Sequence, residues 1–329
     1  SDLVSKVNKN PKDVLEYRRL NYQLLTALAL SKQDYVNLLQ EDIRVYKKIL
    51  RPFDKDAEKD EWKTNIDYIR LFFKNIVSGD SENELEEDIR NVSTNVVTKC
   101  DELLNISENF VKLKYVKKQL AKLIEKRCRD LAYGKITVKA RYQYIGICPI
   151  SYMNYAMTRT QGNNGLQTGQ FYNHDFADGE VRTIARNPLC AYSEVHNVTF
   201  VTNELLDKYL SDCKEIIYFN QQSDILALMS SADTDGDACT VIDNEIIKVA
   251  VVVPPDGKYF WNKDDGHKEK MPYNSENKFI ATYRASGNLI GRIALKSASV
   301  NSDSQLTEPY YDVEKKAFVS MMLVYNYGH

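Results

Sequence analysis

Of the thirteen glycines in this chain, only Gly79 precedes residue 130, and the other twelve fall between Gly134 and Gly328. Glycine is the residue that turns and bulges need and that helix interiors exclude. The first 130 residues are therefore suited to helices, and the remainder to short elements joined by tight turns. Hydrophobic periodicity agrees with that division. Leu15, Tyr22, Leu25 and Leu28, and then Ile66, Ile69, Leu71, Phe72 and Ile76, recur at the three- and four-residue spacing of amphipathic helices. Pro11, Pro52 and the Ser78-Gly79-Asp80-Ser81 turn separate roughly four helices across residues 12–131. Downstream, Lys135 to Tyr144, Val195 to Val201, Glu215 to Phe219 and Val241 to Val253 are β-branched and aromatic runs bounded by Gly, Asn and Asp, the pattern of short strands. A helical return is expected around Asn277 to Ser299. The reading is α+β, with a helical region over 1–131, a β-rich domain over 132–262 and an extension over 263–329.

Several classes are excluded by what is missing. Six cysteines are scattered without a C-x-x-C pair, and four histidines accompany them, so zinc-ligand spacing is absent and free thiols are expected. His174 and His196 stand without a nearby catalytic cysteine or serine and read as structural. No apolar run reaches the length of a membrane span and no leader-like segment opens the chain, so an intracellular, cytoplasmic protein with no membrane partner is expected.

The formal net charge of −2 averages two opposed features. Between Val111 and Arg141 lie eleven Lys or Arg, including Lys135, Lys139 and Arg141, against Glu125 and Asp130. Such a stripe suits a polyanion, and a solvated helix face is the plain alternative. The acidic counterpart is Asp233-Thr234-Asp235-Gly236-Asp237. Three carboxylates at alternating positions, with a glycine that lets the backbone bend, converge on one hard divalent cation such as Mg²⁺, with Mn²⁺ able to replace it. An EF-hand register fails: counted from Asp233, position 6 is Ala238 and position 12 is Asn244. A solvated acidic turn stays open on the motif alone. Leu226 to Met229 before the loop and Cys239 to Ile242 and Ile246 to Val253 after it read as strands.

In this context the chain resembles a known family. Asp233 to Asp237 is similar to the Asp-x-Asp-Gly-Asp loop of the double-psi β-barrel RNA polymerases. That group includes the large subunit of cellular RNA polymerase, the eukaryotic RNA-silencing polymerases and single-chain phage polymerases. Some 45 residues upstream, Arg186-Asn187-Pro188 resembles the Arg-x-Pro of the family, and Glu215 to Gln222 its strand and turn before the metal loop. Gly134 to Val138 and Gly165 to Tyr172 resemble its first strands. Phe279 to Tyr283 and Asn288 to Leu295 resemble the helix that follows the barrel. Ser231 and Thr234 depart from the family pattern without removing a metal ligand.

The resemblance implies a double-psi β-barrel over 132–262 between a helical amino-terminal region and carboxy-terminal helices. It implies a nucleotidyltransferase that joins nucleoside triphosphates to an RNA 3′-hydroxyl on a nucleic-acid template. Asp233, Asp235 and Asp237 would hold the metal and carry catalysis, and Arg186 would meet the ribose of the substrate with Pro188 fixing its turn. Lys135, Lys139, Arg141, Arg292 and Lys296 would contact nucleic acid. The family uses a second barrel, and 1–329 shows one β-rich domain, so the partner barrel is expected in a longer chain or a separate subunit. A phage-type, DNA-templated transcription enzyme, acting in a bacterial host or delivered with a virion, is the first expectation. An RNA-templated polymerase of the same family, a non-catalytic nucleic-acid-binding barrel and a Ca²⁺-dependent structural protein are the rivals.

Overall fold

The computed structural model describes residues 17–56, 61–77, 87–160, 164–253, 259, 270–285, 289–306, 310–312 and 317–319. Pro11, the Ser78 to Ser81 turn and Asn288, named above as breaks or as part of a motif, lie outside these residues. The chain divides into two compact units, one of 18–21 and 31–137 and the other built on 22–30 and 138 onward.

The helical unit contains α1 (Lys32–Leu50), α2 (Ile66–Val77), α3 (Glu87–Ile106) and α4 (Lys114–Ala132). α1 starts at a capping box: the Ser31 hydroxyl accepts from the Asp34 backbone N–H while the Asp34 carboxylate accepts from the Ser31 N–H. It ends at Arg51 ahead of Pro52, where the helix cannot continue. Ile49, Ile66, Ile69, Phe72, Phe73, Val97, Cys100, Leu104, Val111, Val116, Leu120 and Ile124 form one buried cluster. Each such side chain contributes about 1.5–3 kcal/mol, several times the roughly 0.3–0.5 kcal/mol of an exposed helical ion pair. Apolar packing, and not pairs such as Arg44 with Glu41, therefore holds these helices together. On α4 the periodicity that buries Val116, Leu120 and Ile124 turns Lys114, Lys117, Lys118, Lys122 and Lys126 to solvent. Among the cations of α4, Arg127 is the exception, since it is half-buried and pairs with Asp130 at 3.3 Å.

The second unit is built on six strands: β1 (Thr137–Ile147), β2 (Gln170–Tyr172), β3 (Val181–Ala185), β4 (Val195–Phe200), β5 (Ile216–Phe219) and β6 (Ala238–Ile242). They hydrogen-bond in the order β1-β5-β2-β4-β3-β6, and β6 pairs back onto β1, so the sheet closes as a barrel. The pairs β1–β5 and β2–β4 are parallel, and the other four are antiparallel. Closure leaves no open edge within this ring. The interior is packed by Ile145, Phe171, Phe176, Ile184, Val198, Phe200, Ile217, Phe219, Met229, Ala232, Cys239 and Val241. Phe171 and Phe219 meet edge to face with centroids 5.0 Å apart, as do Phe176 and Phe200 at 4.6 Å.

Two runs expected as strands are helical. Leu226 to Met229 lies in and just after a single helical turn, α6 (Ile225–Leu228). Of Ile246 to Val253, the first part belongs to α7 (Glu245–Val249), capped by the Asn244 side chain, which accepts from the Ile247 N–H. β-branched residues suited to a strand yield here to a cap that starts a helix. A further helix, α5 (Pro149–Thr158), was not foreseen, and Pro149 stands at its first turn. Beyond α7 lie α8 (Ser275–Ala285) and α9 (Leu289–Leu306), the expected helical return. The short helix Tyr22–Thr26 packs against α9, and the Gln23 side chain accepts from the Leu189 N–H at 3.2 Å. Residues 22–30 thus join the barrel unit from more than a hundred positions upstream. None of the six cysteines is disulfide-bonded. No helix among the described residues is long and apolar enough to cross a membrane.

Candidate metal and nucleotide site

The acidic loop is held at both ends by the barrel core. Met229 and Ala232 on its near side and Cys239 on its far side are buried in the cluster that fills the barrel. The loop leaves α6 through a tight reversal, in which the Ser231 N–H donates to the Ala227 carbonyl and the Ala232 N–H to the Leu226 carbonyl. It rejoins the sheet where the Ile145 N–H donates to the Asp237 carbonyl at 2.8 Å. Gly236 has φ +137, a backbone region essentially reserved for glycine, and nothing crowds the space beside it. The glycine is therefore required by the turn itself and not by a close neighbour.

Between these anchors Asp233, Asp235 and Asp237 each offer a carboxylate oxygen, and the three oxygens lie within 4.8 Å of one another. Asp233 and Asp235 are exposed and Asp237 is half-buried. Hydrogen bonds within the loop fix its shape: the Asp233 N–H donates to the Asp237 carboxylate at 3.0 Å and the Asp235 N–H to the Asp233 carboxylate at 3.1 Å. The hydrogen bond to Asp233 and its negative charge push the Asp235 carboxyl above its ordinary range. At Asp237, burial works against ionisation, but the Asp233 N–H and Arg186 outweigh it and hold the carboxyl below the usual range. Crowded anionic oxygens of this kind fit a small, hard divalent cation, which Asp233, Asp235 and Asp237 would hold.

Arg186 reaches the loop because of strand register. β3 runs antiparallel to β6 with Ala185 opposite Thr240, so the next residue of β3 stands beside the start of β6. The Arg186 Nη2 donates to the Asp237 carboxylate at 2.9 Å, and Nη1 lies 3.4 and 3.5 Å from the carbonyls of Ser230 and Met229. One guanidinium thus touches the loop at its entry and at its last aspartate, 51 residues apart in sequence from the latter. Pro188 follows two residues later, in the turn that leads away from β3.

The remaining sequence candidates are not all alike. Lys139 pairs with Asp243 at 2.7 Å, and Arg141 pairs with Asp175 at 2.6 Å, with Lys214 on the other oxygen of that carboxylate at 2.8 Å. Both cations already have acidic partners on the barrel, and Arg141 is largely buried there. Arg292 and Lys296 are exposed one turn apart on α9, whose opposite side buries Ala294 and Ala298. Lys135 precedes β1 at the end of the basic stripe, and its N–H donates to the Asp130 carbonyl.

Glu194 was missed in the sequence. It is 3% exposed, and its carboxylate accepts from the N–H groups of Cys190 and Ala191 and from the Ser230 hydroxyl. Burial raises its pKa although these donors oppose the shift. A lone acid inside Cys190-Ala191-Tyr192-Ser193-Glu194-Val195 was the available signal, since such a residue in an apolar stretch needs an internal partner.

A family profile described as RNA dependent RNA polymerase matches residues 14–316. Eighteen chains of solved structures match, among them the RNA dependent RNA polymerase QDE-1 from Thielavia terrestris. That match has 14% sequence identity and a TM-score of 0.45, and it covers 89% of this chain and 31% of that one. The chain therefore spans under a third of the length of that polymerase. No curated protein sequence matches.

Proposed function

The chain belongs to the RNA-dependent RNA polymerase family, and on that premise we propose that it carries the metal-binding part of an RNA-templated nucleotidyltransferase. The observation that carries the reading is the convergence of Asp233, Asp235 and Asp237 on one point of a loop pinned in the barrel core. The family match favours RNA as template over the DNA expected of a phage-type enzyme. We take the barrel to be of double-psi type and to form the catalytic domain over 132–262, followed by the extension over 263–329. Two parallel pairs inside an otherwise antiparallel closed sheet support this topology.

A Mg²⁺ bound there would lower the pKa of an RNA 3′-hydroxyl and neutralise charge on the triphosphate it attacks. The chain's own residues prepare that site. Arg186 keeps Asp237 ionised and its oxygen directed, and Gly236 allows the bend that aligns the three carboxylates. We also assign Arg186 the contact to a ribose hydroxyl of the substrate, with Pro188 shaping the turn behind it. Exposed Arg292 and Lys296, together with Lys135, are the proposed contacts to nucleic-acid phosphates, whereas Lys139 and Arg141 are engaged by Asp243 and Asp175 on the barrel. The described residues hold one closed barrel, so the reading includes a second barrel, from a longer chain or another subunit, facing the nucleotide.

The test is Asp235→Ala in the full enzyme. Polymerisation is expected to vanish while the far-ultraviolet circular dichroism and unfolding midpoint of the chain stay unchanged; retained activity refutes the assignment. A chain that binds RNA but not Mn²⁺ would instead be a non-catalytic barrel.

A further inference from the structure

Two consecutive residues at the entry to the acidic loop, Ser230 and Ser231, hold left-handed backbone angles, φ 55 and φ 53. Glycine is the unstrained residue in that region. Serine at such a position gives up backbone comfort and keeps a hydroxyl. The hydroxyl of Ser230 donates to Glu194, a carboxylate 36 positions upstream and almost wholly buried. The other oxygen of Glu194 accepts from the N–H of Cys190 at 2.6 Å and of Ala191 at 3.4 Å. A single carboxylate thus ties the segment after Pro188 to the strained start of the loop. From the other side, the Arg186 guanidinium faces the carbonyls of Met229 and Ser230 while it holds Asp237. Ser230 is gripped at its hydroxyl by one residue and at its carbonyl by another.

The geometry assigns Glu194 as a positioning residue: through Ser230 it fixes the left-handed turn that presents Asp233, Asp235 and Asp237, and it touches none of them. The assignment rests on the reading that these aspartates bind a divalent cation. A carboxyl group buried this deeply is tolerated only where its oxygens find donors, and the three hydrogen bonds supply them.

The test is Mn²⁺ binding to the purified 329-residue chain, read by the electron paramagnetic resonance signal of the free ion, together with unfolding in urea. Ser230→Gly relieves the backbone and removes the hydroxyl. If Ser230 only tolerates a left-handed turn, the glycine variant is at least as stable and binds the ion equally well, and that result overturns the assignment. The expected result is roughly tenfold weaker Mn²⁺ binding with stability little changed, because relief of the left-handed turn offsets the hydrogen bond lost from Glu194. Ser231→Gly leaves the hydrogen bond to Glu194 in place and is expected to bind as the parent does. Glu194→Gln, which keeps an acceptor for the two backbone N–H groups, is expected to weaken binding less. Its combination with Ser230→Gly should be no weaker than Ser230→Gly alone. A Ser230→Gly chain that binds weakly and also unfolds more easily marks a general structural support and overturns the assignment too. Failure of the parent chain to bind Mn²⁺, or binding that survives Asp235→Asn, overturns the three-aspartate reading itself, and the role of Glu194 with it.

Discussion

Replacing His196 by asparagine tests how this barrel handles a buried titratable group. His196 lies on β4, opposite Ile184 of β3, and is 6% exposed. Its ring is 5.4 Å from that of Tyr259 and hydrogen-bonds to the Ser193 backbone. Burial lowers its pKa from 6.5 to about 4, so the folded chain keeps the imidazole neutral where the unfolded chain would protonate it. With the folded value below the unfolded one, stability is full above pH 6.5 and falls as the pH drops toward 4. Linkage over those two values gives a loss of about 2 kcal/mol at pH 5 and about 3 kcal/mol below pH 4. The first figure corresponds to roughly 4–8 °C in melting temperature for a unit of this size. The assay is urea unfolding of parent and His196→Asn at pH 7.5, 6 and 5. Asparagine can replace the hydrogen bond to Ser193 but does not titrate. The variant is expected to be less stable at pH 7.5, because it fills less space, and to show a pH dependence smaller by about 2 kcal/mol between pH 7.5 and 5. Glu194 and Asp42, raised by burial, pull in the opposite sense, but they are present in both proteins and cancel in the difference. Parallel stability curves for the two proteins refute the argument.

Phe219→Ala removes a fully buried ring from the centre of the barrel and should cost about 3–5 kcal/mol in urea unfolding; a loss under 1 kcal/mol would mean that the packing around Phe171 is not what closes the core. Ser31→Ala breaks the capping box of α1 and should lower the stability of the helical unit by about 1 kcal/mol, read from the same transition. Arg186→Lys keeps a positive charge but loses the fork that reaches both Asp237 and the loop carbonyls, and Mn²⁺ affinity should fall; identical affinities would show that charge alone suffices there. Replacing Lys117, Lys118 and Lys122 by glutamine should flatten the dependence of RNA affinity on salt, by roughly 0.7–0.9 in log–log slope for each phosphate that is no longer neutralised. An unchanged slope would assign the stripe on α4 to solvent.

Some of this protein was legible in its sequence because the relevant physics is local. The shortage of glycine before residue 130 and the three-to-four spacing of apolar residues act within a few positions, and they mark out the helical stretch before any packing is known. The run from Thr137 to Ile147 and the alternation of aspartates around Gly236 are local in the same way: a glycine at φ +137 is demanded by its own backbone. Leu226 to Met229 and Ile246 to Val253 were misread because apolar content does not separate a buried strand from a buried helical turn, and the Asn244 cap settled the second case. What the tertiary structure decided concerns residues far apart in the chain. Register between β3 and β6 brings Arg186 to Asp237, closure of the barrel carries Glu194 to Ser230, and folding gives Lys139 and Arg141 carboxylate partners that their neighbours in sequence do not show. The sequence could therefore name the three aspartates, but the company they keep was set by which strands pair, and strand pairing depends on the whole closed sheet.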